Sequence, residues 1–310
     1  MKFRTEISIP PPPFKITHRD AVLLMGSCFA EHIGTKLEAS GFHANINPFG
    51  TLYNPLSVAS GLRDILDARV YTESDVFEHK GLYSSFSHHS RFSALTATQC
   101  LDNMNQRLAS SVEFLKEPSI LMVTLGTAFV YYLKQNEKVV SNCHKLPDGH
   151  FVRKRLTVEE IVNHWQPLVA DLQAFNPQLK ILFTVSPIRH WKDGAHENQL
   201  SKAILLLATE QLQQNAGVSY FPSYELVLDD LRDYRYYAED MLHPSPVAID
   251  YIWEKFSAAY FDENTRTGVA EYQSIRQALQ HRPFNPESDA YREFYAKAQA
   301  RLSAFQERFF

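Results

Sequence analysis

The sequence predicts an α/β fold in which a parallel β-sheet is covered by helices. Short apolar runs alternate with amphipathic windows of helical length along most of the 310 residues, and this alternation is typical of such sheets. The first apolar run, 21–25, is unbroken, as expected of a strand buried on both faces. Hydrophobic residues make up 45% of the chain, which is enough for a sizeable core.

The predicted strands are short apolar runs bounded by turn residues. The first is followed at once by Gly26-Ser27-Cys28, and the clearest, 119–125, ends at Gly126-Thr127. In chain order the predicted strands are 21–25, 43–46, 119–125, 180–185 and 218–221, with a hairpin of 130–133 and 139–140.

Helices are predicted where apolar residues recur at helical spacing. A capping box of Thr157 and Glu160 marks the start of one helix, and Gly41 follows the end of another, where a left-handed residue is favoured. The predicted helices are 29–40, 56–66, 98–116, 157–175, 197–215, 224–231 and 246–260. The basic run Arg153-Lys154-Arg155 is interpreted as an ordinary solvated loop.

The last fifty residues differ from the rest, because polar helices replace the strand-forming runs. Helices are predicted over 273–280 and 289–306, separated by Arg282-Pro-Phe-Asn-Pro286. We therefore predict two units, a domain over 1–261 that contains the sheet and a C-terminal helical extension over 262–310 packed on it. The alternative is that the extension forms a surface for a partner.

Composition argues against several classes of protein. A net charge of −4 is unlike that of a nucleic-acid binder, and no G-x-G-x-x-G or G-x-x-x-x-G-K-[ST] motif predicts a dinucleotide or P-loop site. Three cysteines without a C-x-x-C pair predict neither a disulfide framework nor zinc, so we expect no metal and no cofactor. No apolar run reaches the length of a membrane span and no signal peptide is evident, which predicts a cytoplasmic protein.

Two segments contain the residues predicted to do chemistry. Ser27 and Cys28 lie where a buried strand ends and a helix begins. Ligands bind at the carboxyl ends of parallel strands, and helix N-terminal amides lower the pKa of a thiol. Asp240 precedes His243 by three residues, a spacing at which a carboxylate can orient an imidazole whose other nitrogen takes a proton. We predict that both segments share one pocket; the alternatives are a plain tight turn and a helix-capping Asp beside a surface His.

These segments resemble a known family. Gly26-Ser-Cys-Phe-Ala30 spells the motif after which the GSCFA family is named. Five further blocks are also similar to that family: Asn47-Pro-Phe-Gly50, Asn142-Cys-His144, Ser186-Pro-Ile-Arg-His190, Leu231-Arg-Asp-Tyr234 and Asp240-Met-Leu-His243. The order of the first and last blocks also resembles that of the SGNH (GDSL-like) hydrolase superfamily. The resemblance extends from about residue 2 to residue 260 or beyond.

The resemblance implies a flavodoxin-like three-layer α/β/α fold with a serine-hydrolase-type site. Cys28 falls where the superfamily has its nucleophilic serine, and Ser27 stands where an aspartate is usual. We favour Cys28 as the nucleophile, with Ser27 as the alternative if the register slips by one residue. Asp240 and His243 match the last block, in which the histidine is the base.

The oxyanion hole implied by the resemblance is less complete. Gly50 matches the glycine of the second block, whose amide binds the oxyanion together with the amide of the nucleophile. The third block lacks its asparagine, and Thr127 or Asn142 is the candidate replacement. Losing one such donor costs about 100- to 1,000-fold in rate.

We therefore predict an esterase or O-acyltransferase for a small-molecule or carbohydrate acyl ester, by analogy a cell-envelope precursor. Arg189 follows the strand 180–185 and is expected at the rim of the crevice, where it would bind a carboxylate or phosphate or form a structural salt bridge. The altered first block and the missing asparagine favour the alternative, a binding protein that keeps the crevice without the chemistry. A third interpretation is a scaffold whose helical extension binds a partner.

Overall fold

The structure, a computed structural model, describes residues 4–117 and 119–309. In chain order its elements are β1 (Ala21–Gly26), α1 (Cys28–Ala39), β2 (Ala44–Ile46), α2 (Pro55–Leu66), β3 (Phe77–His79), β4 (Leu82–Ser84), α3 (Ala97–Leu115), β5 (Ser119–Leu125), β6 (Phe129–Leu133), β7 (Val139–Val140), β8 (Phe151–Arg155), α4 (Val158–Phe175), β9 (Lys180–Val185), α5 (Gly194–Leu212), β10 (Val218–Tyr220), α6 (Ser223–Glu225), α7 (Pro246–Tyr260), α8 (Glu263–Leu279) and α9 (Asp289–Phe309). A π-helical turn, Leu226–Asp230, continues α6.

The central sheet of the described chain has the strand order β10-β9-β5-β1-β2, and every neighbouring pair is parallel. Numbered within this sheet alone, the strands run 2-1-3-4-5 from the opposite edge, which is the flavodoxin-like order. The order reverses between β1 and β5. In such sheets the ligand crevice lies at this reversal, outside the carboxyl ends of the strands.

Helices cover both faces of the sheet because its strands are apolar on both sides. All of β1 is buried, and its side chains alternate between two cores. Leu23 and Met25 belong to a core shared with α2 to α5, whereas Val22 and Leu24 belong to one shared with α1 and α7. The predicted three-layer α/β/α architecture is confirmed.

The interpretation of the basic run Arg153-Lys154-Arg155 as a loop is wrong. The run lies in β8, which pairs antiparallel with β6 beside the predicted β6–β7 hairpin. The Arg153 guanidinium lies 3.9 Å from the centroid of the Phe129 ring and bonds to Asp193 at 2.6 Å. These partners on other segments hold a charged strand in place.

The helical extension packs against the N-terminal part of the chain. α8 begins ten residues before its predicted start, because Asp262 caps it by accepting from the Thr265 N–H at 2.7 Å. The Phe305 ring of α9 lies 5.3 Å from the His18 ring, edge to face. The division at residue 261 stays a prediction. None of the helices in the described ranges is long and apolar enough to cross a membrane.

Candidate active site

A cavity of about 700 Å³, which we call the main cavity, opens at the carboxyl ends of β1, β5 and β9. Its lining includes Ser27 and Cys28 after β1, Thr127 after β5 and Ser186 after β9. Volumes of this size are usual for small-molecule sites. The cavity lies where the strand order reverses, which is the position expected for a ligand site in this fold.

The turn between β1 and α1 depends on two of the sequence blocks. Gly26 has φ of 138°, and a Cβ there would lie 2.1 Å from the Thr124 carbonyl oxygen, so a side chain does not fit. The Gly26 N–H donates to the Asn47 side-chain oxygen at 2.9 Å. The second block therefore holds the turn that presents Cys28.

Ser27 and Cys28 have different roles in this turn. The Ser27 side chain is the N-cap of α1 and accepts from the Phe29 N–H at 3.3 Å, and the residue is only 1% exposed. Cys28 is the first residue of α1, is half-buried and has a free thiol. The hydroxyl is thus already used in capping, whereas the thiol is not.

The expectation that the pKa of Cys28 is lowered is wrong, although the helix N-terminus does act in that direction. Burial, followed by the negative charge of Glu31, raises the pKa of this thiol above its ordinary value. The amides of Cys28 and Phe29 and the charge of Lys202 act in the expected direction but do not outweigh these effects. A thiol in this site is protonated at neutral pH and needs a base to react.

Asp240 and His243 are joined as their spacing predicts. The Nδ1 atom of His243 lies 2.5 Å from Asp240 Oδ2, and Asp240 Oδ1 accepts the N–H groups of Leu242 and His243, each at 2.9 Å. These amides, and then the imidazole, lower the pKa of Asp240 to about 2, so the carboxylate is ionised. Within the described ranges no protein group bonds to Nε2 of His243, which is left to exchange a proton.

Cys28 and His243, which are 215 positions apart, both line the main cavity. No hydrogen bond joins the thiol to the imidazole in the part of the chain that the structure describes. Catalytic pairs are often loose without substrate and tighten when it binds. The fold thus places the two groups around one cavity without a hydrogen bond between them in the described ranges.

The amide of Gly50 is already used inside its own turn. It donates to the Asn47 carbonyl at 2.7 Å, and Gly50 has φ of 79° with His89 Cβ 2.1 Å from the position of a Cβ. Its neighbour Thr51 lines the main cavity, and the Thr51 N–H donates to no group in the described ranges. In the second block, the amide of Thr51 is therefore more available to an oxyanion than the amide of Gly50.

The two candidates for the third-block donor differ in their bonds. Thr127 donates its N–H to the Tyr53 carbonyl at 3.0 Å, and its hydroxyl accepts the Phe129 N–H at 3.2 Å. Asn142 lines the main cavity and accepts the His144 N–H at 2.9 Å through its side-chain oxygen. Its Nδ2 donates to no protein group in residues 4–117 and 119–309. Asn142 has the more available donor.

Lys202 is a functional candidate that the sequence analysis missed. The residue is 1% exposed, and its Nζ donates to the carbonyls of Gly126 and Ser186 at 2.6 and 2.7 Å. Burial lowers the pKa of Lys202 to about 7, while Cys28, in its ionised form, acts to raise it. The signal that the sequence offers for this role is a lysine placed among the apolar residues of a predicted helix.

His190 and Tyr53 also line the main cavity. Their rings are 5.2 Å apart and meet edge to face. Burial, and then the charge of Lys202, lowers the pKa of His190 to about 4, so its imidazole is neutral at pH 7. Burial, followed by the charge that Cys28 carries when it is ionised, raises the pKa of Tyr53.

Arg189 lies at the junction of the main cavity with a second cavity of about 460 Å³ and lines both. It is half-buried. No carboxylate pairs with its guanidinium among the described residues, so the structural salt bridge considered from the sequence is not found there.

Comparison with known proteins identifies two matching family models. The one described as GSCFA family matches residues 21–256, and the one described as GSCFA domain protein, C-terminal domain, matches residues 272–310. No match to a curated protein was found.

Two solved structures are similar to the chain at 11% identity. A carbohydrate esterase family 3 from Talaromyces cellulolyticus has a TM-score of 0.37, with 77% of this chain and 95% of that chain covered. An acetyl xylan esterase (Est2A) from the rumen bacterium Butyrivibrio proteoclasticus has a TM-score of 0.38, with 80% of this chain covered. The match spans 64% of that esterase, less than two thirds of its length.

Proposed function

The chain belongs to the GSCFA family, and from this premise we propose that it is an acyl-ester hydrolase or O-acyltransferase with Cys28 as nucleophile. The observation that carries the proposal is the shared main cavity. It is lined by the half-buried thiol of Cys28 and by His243, whose imidazole is oriented by Asp240. A nucleophile, a base and a group that orients the base are the components of covalent acyl transfer.

The proposed reaction has two steps. His243 Nε2 takes the proton of Cys28 as Sγ attacks the ester carbonyl carbon, and Asp240 stabilises the imidazolium that forms. The bond from the carbonyl carbon to the alcohol oxygen then breaks, and His243 returns the proton to the departing alcohol. A thioester on Cys28 remains. Water or an acceptor hydroxyl attacks its carbonyl carbon as His243 takes the proton of the attacking oxygen. The bond from that carbon to Sγ then breaks, His243 returns the proton to Sγ, and the acid or a new ester is released.

The raised pKa of Cys28 favours general-base catalysis over a preformed thiolate pair. Because burial and Glu31 keep the thiol protonated, the proton must leave during the attack. An oriented His243 with an unengaged Nε2 suits this role. Ser27 remains the alternative nucleophile, but attack by its hydroxyl would require the loss of the α1 cap.

For the oxyanion we propose the amides of Cys28 and Thr51 and the side-chain Nδ2 of Asn142. The Cys28 amide belongs to the first turn of α1, where the helix dipole favours negative charge. The amide of Gly50 could donate to the oxyanion only if its bond to the Asn47 carbonyl broke. Thr127 could donate only if its N–H left the Tyr53 carbonyl or its hydroxyl turned towards the cavity. Each working donor of this type is worth about 100- to 1,000-fold in rate.

The test is hydrolysis of p-nitrophenyl acetate, and acetyl transfer from the same ester to alcohols, by the purified protein and its variants. Cys28→Ala and His243→Ala should reduce turnover to the uncatalysed level, whereas Ser27→Ala should retain it. Cys143→Ala is the matched control, because Cys143 is also a free thiol that lines the main cavity. Turnover by Cys28→Ala equal to that of wild type would exclude the proposed nucleophile.

The second candidate function is a non-catalytic binding protein. The missing third-block asparagine and the engaged amide of Gly50 favour it. Ligand binding in the main cavity without turnover of any ester by wild-type protein would support this alternative.

A further inference from the structure

We propose that the second cavity is a subsite for the alcohol part of the substrate, and that this part carries an anionic group on a ring-shaped body. The inference deepens the proposed acyl-transfer function and rests on it. The residues that define the second cavity for this purpose are Arg189, Trp191, Arg232, Tyr234, Tyr237 and Asp240.

The second cavity is continuous with the proposed catalytic groups. Arg189 and Trp191 line both cavities. Asp240 lines the second cavity, while its partner His243 lines the main one. A substrate with its ester carbonyl at Cys28 therefore has room to extend past the base into the second cavity, and the part that leaves with the proton from His243 is the alcohol.

Among residues 4–117 and 119–309, Arg189 is the one cation of the second cavity without a carboxylate partner. Asp233 pairs with Arg235 at 2.9 Å, and Asp240 is bound to His243. The Arg232 guanidinium pairs with a carboxylate of its own segment at 3.3 Å. Arg189 has no such partner in the described chain, although it is half-buried. A half-buried guanidinium without a carboxylate partner can bind a carboxylate or phosphate through two parallel hydrogen bonds.

The aromatic side chains indicate the shape of the ligand. Trp191 is 50% exposed and Tyr234 is 74% exposed, whereas aromatic rings that serve the core are buried. Tyr234 and Tyr237 have their ring centroids 5.9 Å apart. Exposed rings beside a guanidinium provide faces on which a sugar or aromatic ring can stack. The combination favours an anionic ring compound over a neutral alkyl chain.

A matched pair of esters tests the charge requirement. 4-Acetoxybenzoate and methyl 4-acetoxybenzoate share the acetyl group and the ring and differ in charge, and their rates of hydroxide-catalysed hydrolysis correct for leaving-group reactivity. We expect corrected kcat/KM to be about 10- to 100-fold higher for the anionic ester, the range of charge-assisted hydrogen bonds. Arg189→Gln should abolish this preference. Arg19→Gln, at an exposed arginine that lines neither cavity, should keep it.

Binding of unreactive ligands separates this inference from the proposed function. Isothermal titration with 4-hydroxybenzoate, phenyl phosphate and methyl 4-hydroxybenzoate needs no turnover, and the first two distinguish a carboxylate from a phosphate ligand. If either anion binds to wild type, and Arg189→Gln and Tyr234→Ala weaken that binding, the anion subsite is supported. If the wild-type protein also turns over no ester, the acyl-transfer function is refuted while the subsite stands. Turnover with no preference for charge, together with no anion binding, would overturn the subsite and leave the function standing.

Discussion

The substitution Asp240→Asn tests how the imidazole is oriented. Asp240 Oδ1 accepts two backbone N–H groups at 2.9 Å, and Oδ2 lies 2.5 Å from Nδ1 of His243. Asparagine has the same shape and keeps an oxygen for the two amides, but it presents an NH₂ group to Nδ1. Nδ1 must then be the acceptor, so the ring proton moves to Nε2 and His243 can no longer take a proton from Cys28.

The expected loss for Asp240→Asn is large and confined to activity. The same tautomer change in a serine-protease triad lowers kcat by about 10⁴-fold, and we expect a fall of about 10³-fold or more here because the arrangement of the pair is equivalent. The melting temperature should stay close to that of wild type, since both amide bonds are retained and the pair is half-exposed.

Two measurements check this prediction. Steady-state kinetics with p-nitrophenyl acetate give kcat, and ¹⁵N NMR of the His243 ring reports which nitrogen holds the proton. Asp233→Asn is the control, because Asp233 pairs with Arg235 in the same segment and not with the imidazole. An Asp240→Asn variant with wild-type kcat, or with the proton still on Nδ1, would refute the proposed role of the carboxylate.

Three further predictions follow from the site. Glu31→Gln should speed alkylation of Cys28 by iodoacetamide at a fixed pH below the thiol pKa, because the charge of Glu31 raises that pKa; an unchanged or slower rate would contradict this. Ser27→Ala should lower the free energy of unfolding by about 0.5–2 kcal/mol through loss of the α1 cap, measured by denaturant titration, with turnover retained; abolished turnover would instead make Ser27 the nucleophile. Between pH 7 and 10 the unfolded chain keeps a proton on Lys202 that the folded chain loses, so wild type should gain up to about 1.4 kcal/mol of stability per pH unit relative to Lys202→Met; parallel stability curves would show that the buried amine keeps its ordinary pKa.

The sheet could be predicted because its signals are local. Residues 119–125 are mostly apolar and are followed by a glycine, and the structure forms a strand over those residues. β8 gave no such signal, since three of its five residues are basic. Its side chains depend on partners that follow much later in the chain, such as Asp193 for Arg153.

In the candidate site, too, features set by neighbouring residues could be predicted from the sequence, and features set by distant segments could not. The contact of Asp240 with His243 follows from their spacing within one turn, so the sequence was sufficient to predict it. The pKa direction of Cys28 depends on how deeply the fold buries the thiol and on Glu31 nearby, and helix position alone predicted the opposite direction. Lys202 was missed because its role arises only when two strand ends meet at its amine.

Trapping of the acyl-enzyme tests the central proposal most directly. Wild-type protein would be mixed with p-nitrophenyl acetate, quenched in acid and digested, and the peptide that contains Ser27 and Cys28 analysed by tandem mass spectrometry. We expect an acetyl thioester on Cys28, removed by neutral hydroxylamine and not formed in Cys28→Ala. Acetylation of Ser27 or of a residue outside the main cavity in a protein that turns over the ester would contradict Cys28 as the nucleophile.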